Sequence, residues 1–324
     1  MQTVLFHLLF CVALSFHFCP ELLKTNMFKF DFRVDECDKD DNFNDTFYQK
    51  DSPSCLYQEE TSSLNCHEAT EILPSQSILD NIDVYCLQCH TKILKNVCIS
   101  HLSGGFLLED IRNASNSDIK KAHEQHSDLV PGVYEGGAKI WECTDDVLNF
   151  MAEKYSQDWW TRKRVLDLGC GAGLLGIYAY KQGARVDFQD YNKDVLQEIT
   201  IPNLLINITE QIPLEEVFEN VKFYSGDWSK WTEFCKGSYI YDVILTSETI
   251  YNPRNQEKLL RCLKDKLKLN GVVILAAKTH YFGVGGGLHQ FEALLNSEKC
   301  FDYQIVWTSC EGVSRQILLL TRRR

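Results

Sequence analysis

The chain has 324 residues, 44% of them hydrophobic, and a formal net charge of −12. That length fits one large domain with appendages, and the apolar content is enough for a substantial core. The acidic balance excludes a nucleic-acid binder that works through phosphate contacts, which needs a concentrated basic surface, and it favours a basic partner.

Gln2 to Cys19 form an apolar run of about the length of a signal-peptide core, too short and too interrupted by His for a membrane span. No Lys or Arg precedes it, and Phe18-Cys19-Pro20 is a poor cleavage site. Met27 then opens a different, aromatic-rich stretch, Met-Phe-Lys-Phe-Asp-Phe. Two starts stay open: Met1 with a secretory leader, or Met27 with residues 1–26 outside the functional protein. Residues 27–80 read as an acidic, largely disordered segment, because apolar residues from Asp31 to about Pro74 follow no period and cannot offset the entropy of ordering. The catalytic domain, with a helical lead-in, is expected over 81–324.

Cys86-x-x-Cys89-His90, with Cys98 and His101 nearby, offers only one well-spaced ligand pair, whereas a structural zinc site wants two. The plainer reading makes Cys86, Leu87, Ile93, Leu94 and Val97 an amphipathic segment packed on the domain, and no metal is expected. The fourteen cysteines show no framework spacing, which suits reduced thiols. Further on, Ile140, Cys143, Val147, Leu148 and Met151 recur at helical spacing, so a helix beginning near Ala138 should pack on a sheet. Trp141 and Glu142 lie beside that face. Trp141 has two readings, core filling or cation–π cover for a sulfonium group.

Arg164-Val-Leu-Asp-Leu-Gly-Cys-Gly-Ala-Gly-Leu-Leu-Gly176 reads as a buried strand, a glycine turn and a helix. The dinucleotide pattern G-x-G-x-x-G is also satisfied, but Asp167 stands before the first glycine. A carboxylate there repels phosphate and suits the cationic methionine end of S-adenosylmethionine. The helix Leu174 to Gln182 ends at Gly183, and the strand Ala184 to Phe188 delivers Gln189-Asp190-Tyr191, where an acid can accept both ribose hydroxyls. A helix from Asp194 to Asn207 is interrupted by Pro202. The strand Val221 to Ser225 delivers Gly226-Asp227-Trp228, an acid and an apolar wall for adenine. Tyr241 to Leu245 is the fourth strand, Leu259 to Leu269 a helix, Val272 to Ala277 the fifth strand, and 301–307 with 316–320 an edge hairpin. The fold class is therefore α/β: a seven-stranded, mostly parallel, doubly wound sheet with an antiparallel C-terminal hairpin and an N-terminal extension.

Thr246-Ser-Glu-Thr-Ile-Tyr-Asn-Pro253 and His280-Tyr-Phe-Gly-Val-Gly-Gly-Gly287 sit at the carboxyl ends of the fourth and fifth strands. Ligands of open α/β sheets bind at that edge, so Glu248, Tyr251, Asn252 and His280 are candidate catalytic residues. Together with Val165-Leu-Asp-Leu-Gly-Cys-Gly-Ala-Gly173 and Gln189-Asp-Tyr191, these motifs resemble the eukaryotic protein-histidine methyltransferases of the methyltransferase-like eighteen type, over about Ser127 to Leu320. The glycine motif is shared widely, Glu248-x-x-Tyr251 resembles the acid-x-x-aromatic element of lysine and histidine methyltransferases alike, and the HYFGVGGG loop makes the match specific. The resemblance implies a class I, Rossmann-like fold and methyl transfer from S-adenosylmethionine to the tele nitrogen of a histidine in a basic partner, a large-subunit ribosomal protein. It also implies cytoplasmic, nuclear and nucleolar residence; separately, no membrane, no direct nucleic-acid specificity and a monomer are expected. Carried over residue by residue, the cofactor contacts fall on Ile140, Trp141, Glu142, Cys143, Thr144, Asp167, Gly169, Gly171, Gln189, Asp190, Tyr191, Gly226, Asp227, Trp228, Thr246 and Ser247.

Two other functions stay open. A lysine methyltransferase would share the acid-x-x-aromatic element but must deprotonate an amine near pKa ~10.4, so its rate should climb with pH beyond neutrality. A silent binding module would have no need for three acids at strand tips.

Overall fold

The computed structural model describes residues 67–102, 117–208, 212–235 and 241–323, all within a unit spanning Glu60–Arg324. The expectations for residues 1–26, and for 27–66 of the acidic segment, lie outside the described residues.

Arg164–Leu168 (β4), Arg185–Asp190 (β5), Val221–Ser225 (β6), Tyr241–Ser247 (β7) and Leu267–Lys278 (β8) form a parallel centre in the order β6-β5-β4-β7-β8. Their apolar runs are continuous because both faces are covered. Val165, Val186 and Phe188 look to one core with Cys143, Val147, Leu148 and Met151 of the helix Glu142–Lys154. Leu166 and Leu168 look to the other, with Leu259 and Leu263 of the helix Pro253–Lys266 and Phe291 of the helix Leu288–Glu298. Phe301–Thr308 (β9) and Arg315–Arg322 (β10) close the edge, β10 lying antiparallel between β8 and β9. These are the seven strands expected from the sequence, with the order reversing beside β4.

Four parts differ from expectation. The sheet has an eighth strand: Thr70–Glu71 (β1) pairs antiparallel with β6, inside the segment read as disordered, so the ordered domain begins before residue 81. After a helix at Ile82–Leu87, Cys89–Ile93 (β2) and Cys98–Leu102 (β3) form a separate hairpin rather than one continuous amphipathic segment. Leu87 and Ile93 are 87% and 81% exposed, not packed, whereas Leu94 and Val97 do touch the core. Asn203 and Asn207 dock this hairpin by accepting from Leu102 N at 2.8 Å and Ser100 N at 2.9 Å. The third difference is a π turn, Leu196–Thr200, ahead of the helix Ile201–Leu205. The wider turn places Pro202 in a first helical turn, where its missing N–H has no bond to lose. Likewise the helix expected near Ala138 starts at Glu142, with Trp141 at its N-cap.

Candidate active site

The tips of β4, β5, β6 and β7 surround a cleft of about 910 Å³, its open mouth included. Gly169, Gly171, Asp190, Tyr191, Asp227, Trp228, Ser247, Glu248 and Tyr251 line it, with Ile140, Trp141 and Thr144 from the upstream segment.

The glycine turn is built for close approach. Gly171 has φ 50°, and a Cβ there would lie 2.9 Å from Gly137 O, so the upstream loop rests directly on the turn. Thr200 fastens it from below by donating to Gly171 O at 2.6 Å. Asp167 turns under the first turn of the following helix and accepts from Gly176 N at 2.8 Å. Burial pushes its carboxyl up to about 8. Asp190 accepts from Gly171 N at 2.9 Å and Asn192 N at 3.1 Å, and burial pushes it up to about 6. Gln189 does not reach the cleft; its amide donates to Asp190 O and Gly226 O, and its Oε1 accepts from Trp228 Nε1 at 2.9 Å. It therefore staples the tips of β5 and β6 and fixes the Trp228 ring. Asp227 caps the helix Trp228–Phe234 and meets Lys258 at 2.8 Å. Burial alone would raise its carboxyl, but the Lys258 and Ser229 bonds outweigh that and hold it below the usual range.

On the other side of the cleft Glu248 stands in a left-handed conformation, φ 59°, which costs energy for a side-chain-bearing residue. Its carboxylate is buried: Oε1 accepts from Cys143 N at 3.4 Å and lies 3.9 Å from Lys278 Nζ, while Oε2 has no partner. Ser247 Oγ is likewise buried without a partner. Tyr251 donates its hydroxyl to Glu135 Oε2, and Glu135 Oε1 accepts from Gly132 N at 2.7 Å. Burial raises the Glu135 carboxyl, and that residue, like Gly136, Gly137 and Lys139, lines the cleft without having been singled out in the sequence. Its place in Gly132-Val-Tyr-Glu-Gly-Gly137, a glycine-rich turn stretch just before Trp141, is the signal the sequence offers.

Several candidates stand elsewhere. Asn252 caps the helix Pro253–Lys266 by accepting from Arg254 N at 3.1 Å and is not part of the cleft wall. His280 is exposed and packs edge-on against Phe282 at 4.9 Å. Thr246 is buried, donating to Leu168 O at 2.9 Å, because neighbours on a strand face opposite ways and Ser247 takes the cleft side. Cys143 is buried in the core, Glu142 pairs with Lys278 at 2.9 Å, and Gly226 is not part of the cleft wall. Trp141 does line the cleft; its ring is held by Gly136 O at 3.1 Å, and Lys139 lies over it at 4.6 Å. Among the described residues no group of three His, Cys, Asp or Glu side chains could hold a metal, and no helix is long and apolar enough to cross a membrane.

Five acids, Glu135, Asp167, Asp190, Asp227 and Glu248, line the cleft with Lys139 as the cation on its wall; Asp167, pushed up to about 8, is mostly neutral at neutral pH, while Asp190 and Asp227 are ionised there. An anionic pyrophosphate would be repelled there, while a sulfonium and ammonium group would be attracted. With the sheet order, the glycine turn and the acids at successive tips, this chain has the fold and donor cleft of the class I, seven-strand S-adenosylmethionine-dependent methyltransferases. Residues 128–284 match the model of a family described as lysine methyltransferase. Within the class the chain is similar to the histidine protein methyltransferase 1 proteins. It is 40% identical over 252 residues to the homolog from Bos taurus, a match covering 70% of this chain and 66% of that protein. The homolog from Dictyostelium discoideum is 40% identical over 199 residues, 61% of each chain, and the Schizosaccharomyces pombe protein 29% identical over 250 residues, 65% of this chain and 72% of that one. The chain thus spans slightly under two thirds of the first of these relatives. A solved putative O-methyltransferase from Nostoc punctiforme superposes with a TM-score of 0.40 at 17% identity, over 53% of this chain and 55% of that one, which adds nothing to the assignment.

Proposed function

We propose that this chain is a protein-histidine N-methyltransferase that transfers a methyl group from S-adenosylmethionine to a ring nitrogen, the tele nitrogen, of a histidine in a basic protein. The observation that carries the reading is Glu248 on the cleft wall, whose buried Oε2 makes no hydrogen bond of normal geometry although Tyr281 and Cys143 lie beside the carboxylate, in a chain similar to histidine protein methyltransferases. An unpaired buried acceptor is costly, and the N–H of an imidazole satisfies it while leaving the opposite ring nitrogen bare.

Bound in the cleft, S-adenosylmethionine supplies an electrophilic methyl on sulfur. Gly169 and Gly171 admit it by close backbone approach, Asp190 accepts hydroxyl donors, and Trp228 offers an apolar face. The acceptor side has less to do than in lysine transfer. A histidine of ordinary pKa near ~6.5 is mostly neutral at pH 7 and already carries its lone pair, so alignment is the main requirement. Glu248 fixes the tautomer and Tyr251, held by Glu135, borders the ring.

The net charge of −12 supports a basic acceptor, for which a large-subunit ribosomal protein is the proposal, with cytoplasm, nucleus and nucleolus as the proposed places of action and a monomer as the working form. The test incubates purified protein and labelled donor with ribosomal proteins from cells lacking the enzyme and locates the label by peptide mass spectrometry. Label on histidine supports the reading; label confined to lysine assigns the activity described for the matched family model instead.

A further inference from the structure

The eighth strand lies at the rim of the cleft, and residues 67–72 are tied to β6 along their length. Thr70 and Glu71 pair with Ser225 and Tyr224, Ile72 N donates to Phe223 O at 2.8 Å, and Asp227 N donates to His67 O at 2.9 Å. Side chains repeat the register: the Thr70 and Ser225 hydroxyls meet at 2.9 Å, Glu71 pairs with Lys222 and Glu68 with Lys230, both at 3.0 Å. Gly226 has φ 118°, and a Cβ on it would lie 2.7 Å from Glu68 O, so the tip of β6 is shaped for this segment to cross it. The crossing brings the His67 ring onto Tyr191, stacked at 4.4 Å between centroids and 18° between planes. Tyr191 lines the cleft directly after Asp190, and its hydroxyl donates to Gly132 O at 3.0 Å.

We infer that the segment His67–Ile72 is part of the donor site and that His67 is a positioning residue, setting the Tyr191 ring against the nucleoside of the bound donor. The inference rests on the cleft being the donor site. His67 itself does not line the cleft; it acts by closing the outer face of Tyr191 and by receiving the Asp227 N–H, so that two neighbouring walls, at the tips of β5 and β6, are held by one residue from far upstream. A flat neutral ring can do this work as well as an imidazole, which separates stacking from charge.

The test is calorimetry of S-adenosylhomocysteine binding to the full chain and to His67→Ala, His67→Phe, Tyr191→Ala and the His67→Ala/Tyr191→Ala pair, with thermal denaturation of each. The expected result is a dissociation constant raised about three- to tenfold in His67→Ala and restored in His67→Phe. In the Tyr191→Ala background, losing His67 should cost no further affinity, since the residue acts through that ring. A loss below about threefold, a loss that phenylalanine does not restore, or an additive loss in the double variant overturns the inference. A native chain that binds no S-adenosylhomocysteine overturns the donor reading, and this inference with it; native binding alongside unchanged His67→Ala overturns this inference alone.

Discussion

The two halves of the cleft handle their polar groups in opposite ways. Around the tips of β4, β5 and β6, Asp167, Asp190 and Asp227 each accept hydrogen bonds from the chain itself, and Gln189 ties the β5 and β6 tips together. Around the tip of β7, Ser247 Oγ and an oxygen of Glu248 are buried without partners, on a residue with a left-handed backbone. Beyond it Phe282 is 71% and Val284 38% exposed. The first, finished half has its acids paired within the chain, which suits the donor pocket proposed above; the second, unfinished half keeps buried acceptors that a donor from a bound molecule would satisfy.

The strongest way to break that contrast is Glu248→Gln. If the free oxygen meets the acceptor, turnover at saturating donor should fall about 100-fold, while the dissociation constant for S-adenosylhomocysteine stays within about twofold. Donor binding lost in step with turnover would move Glu248 into the finished half.

Asp190→Ala addresses the other side. A carboxylate holding hydroxyls is worth roughly 1.5–3 kcal/mol, so calorimetry should show donor affinity down by about 10- to 100-fold. A pH series sharpens it. Burial places the Asp190 carboxyl at about 6, so it is ionised above that pH and protonates as the pH falls through it. Donor affinity should therefore decline below about pH 6, and in Asp190→Asn the decline should vanish.

The finished half was largely legible in the sequence, and the reason is local. A β-strand ending in Gly-x-Gly, or in an acid followed by an aromatic, puts backbone and side chain at one spot through a few consecutive residues. Asp190, Tyr191, Asp227 and Trp228 all reach the cleft as read. What failed was what depends on side alternation or on distant chain. Adjacent strand residues cannot both face the ligand, so Thr246 goes to the core when Ser247 takes the cleft, and a helix beginning at Glu142 turns Cys143 inward. Glu135 meets Tyr251 across 116 positions and Thr70 meets Ser225 across 155, and no local pattern encodes either contact. Residues 67–80 read as disordered because a two-residue strand borrows its order from β6.

Tyr251→Phe tests one such distant contact. Removing the hydroxyl leaves the ring against Tyr281 but frees Glu135 from one of its two partners. A lost bond of about 1 kcal/mol predicts turnover reduced roughly fivefold, with donor affinity nearly unchanged. A change in donor affinity alone would place the Glu135–Tyr251 pair in the finished half.

The smallest kinetic effect is expected at Asn252, and it separates the motif from the geometry most cleanly. The sequence places Asn252 one residue after Tyr251, at a strand tip rich in functional groups, where a side-chain amide could hold an imidazole. The structure gives its oxygen to Arg254 N, directly before Pro253 opens the helix Pro253–Lys266, an arrangement that satisfies one of the bare N–H groups of a helix start. That helix buries Leu259, Leu260 and Leu263 under the sheet, so fraying its first turn should weaken the fold rather than the chemistry. Asn252→Ala should therefore lose about 1 kcal/mol of stability in a denaturant titration and keep turnover within about twofold. Asn252→Asp, which retains an oxygen at the cap, should recover most of the stability. If Asn252→Ala instead keeps its stability and loses turnover by tenfold or more, the side chain must leave the cap when the acceptor binds, and the unfinished half of the cleft would extend beyond Glu248 into the start of that helix.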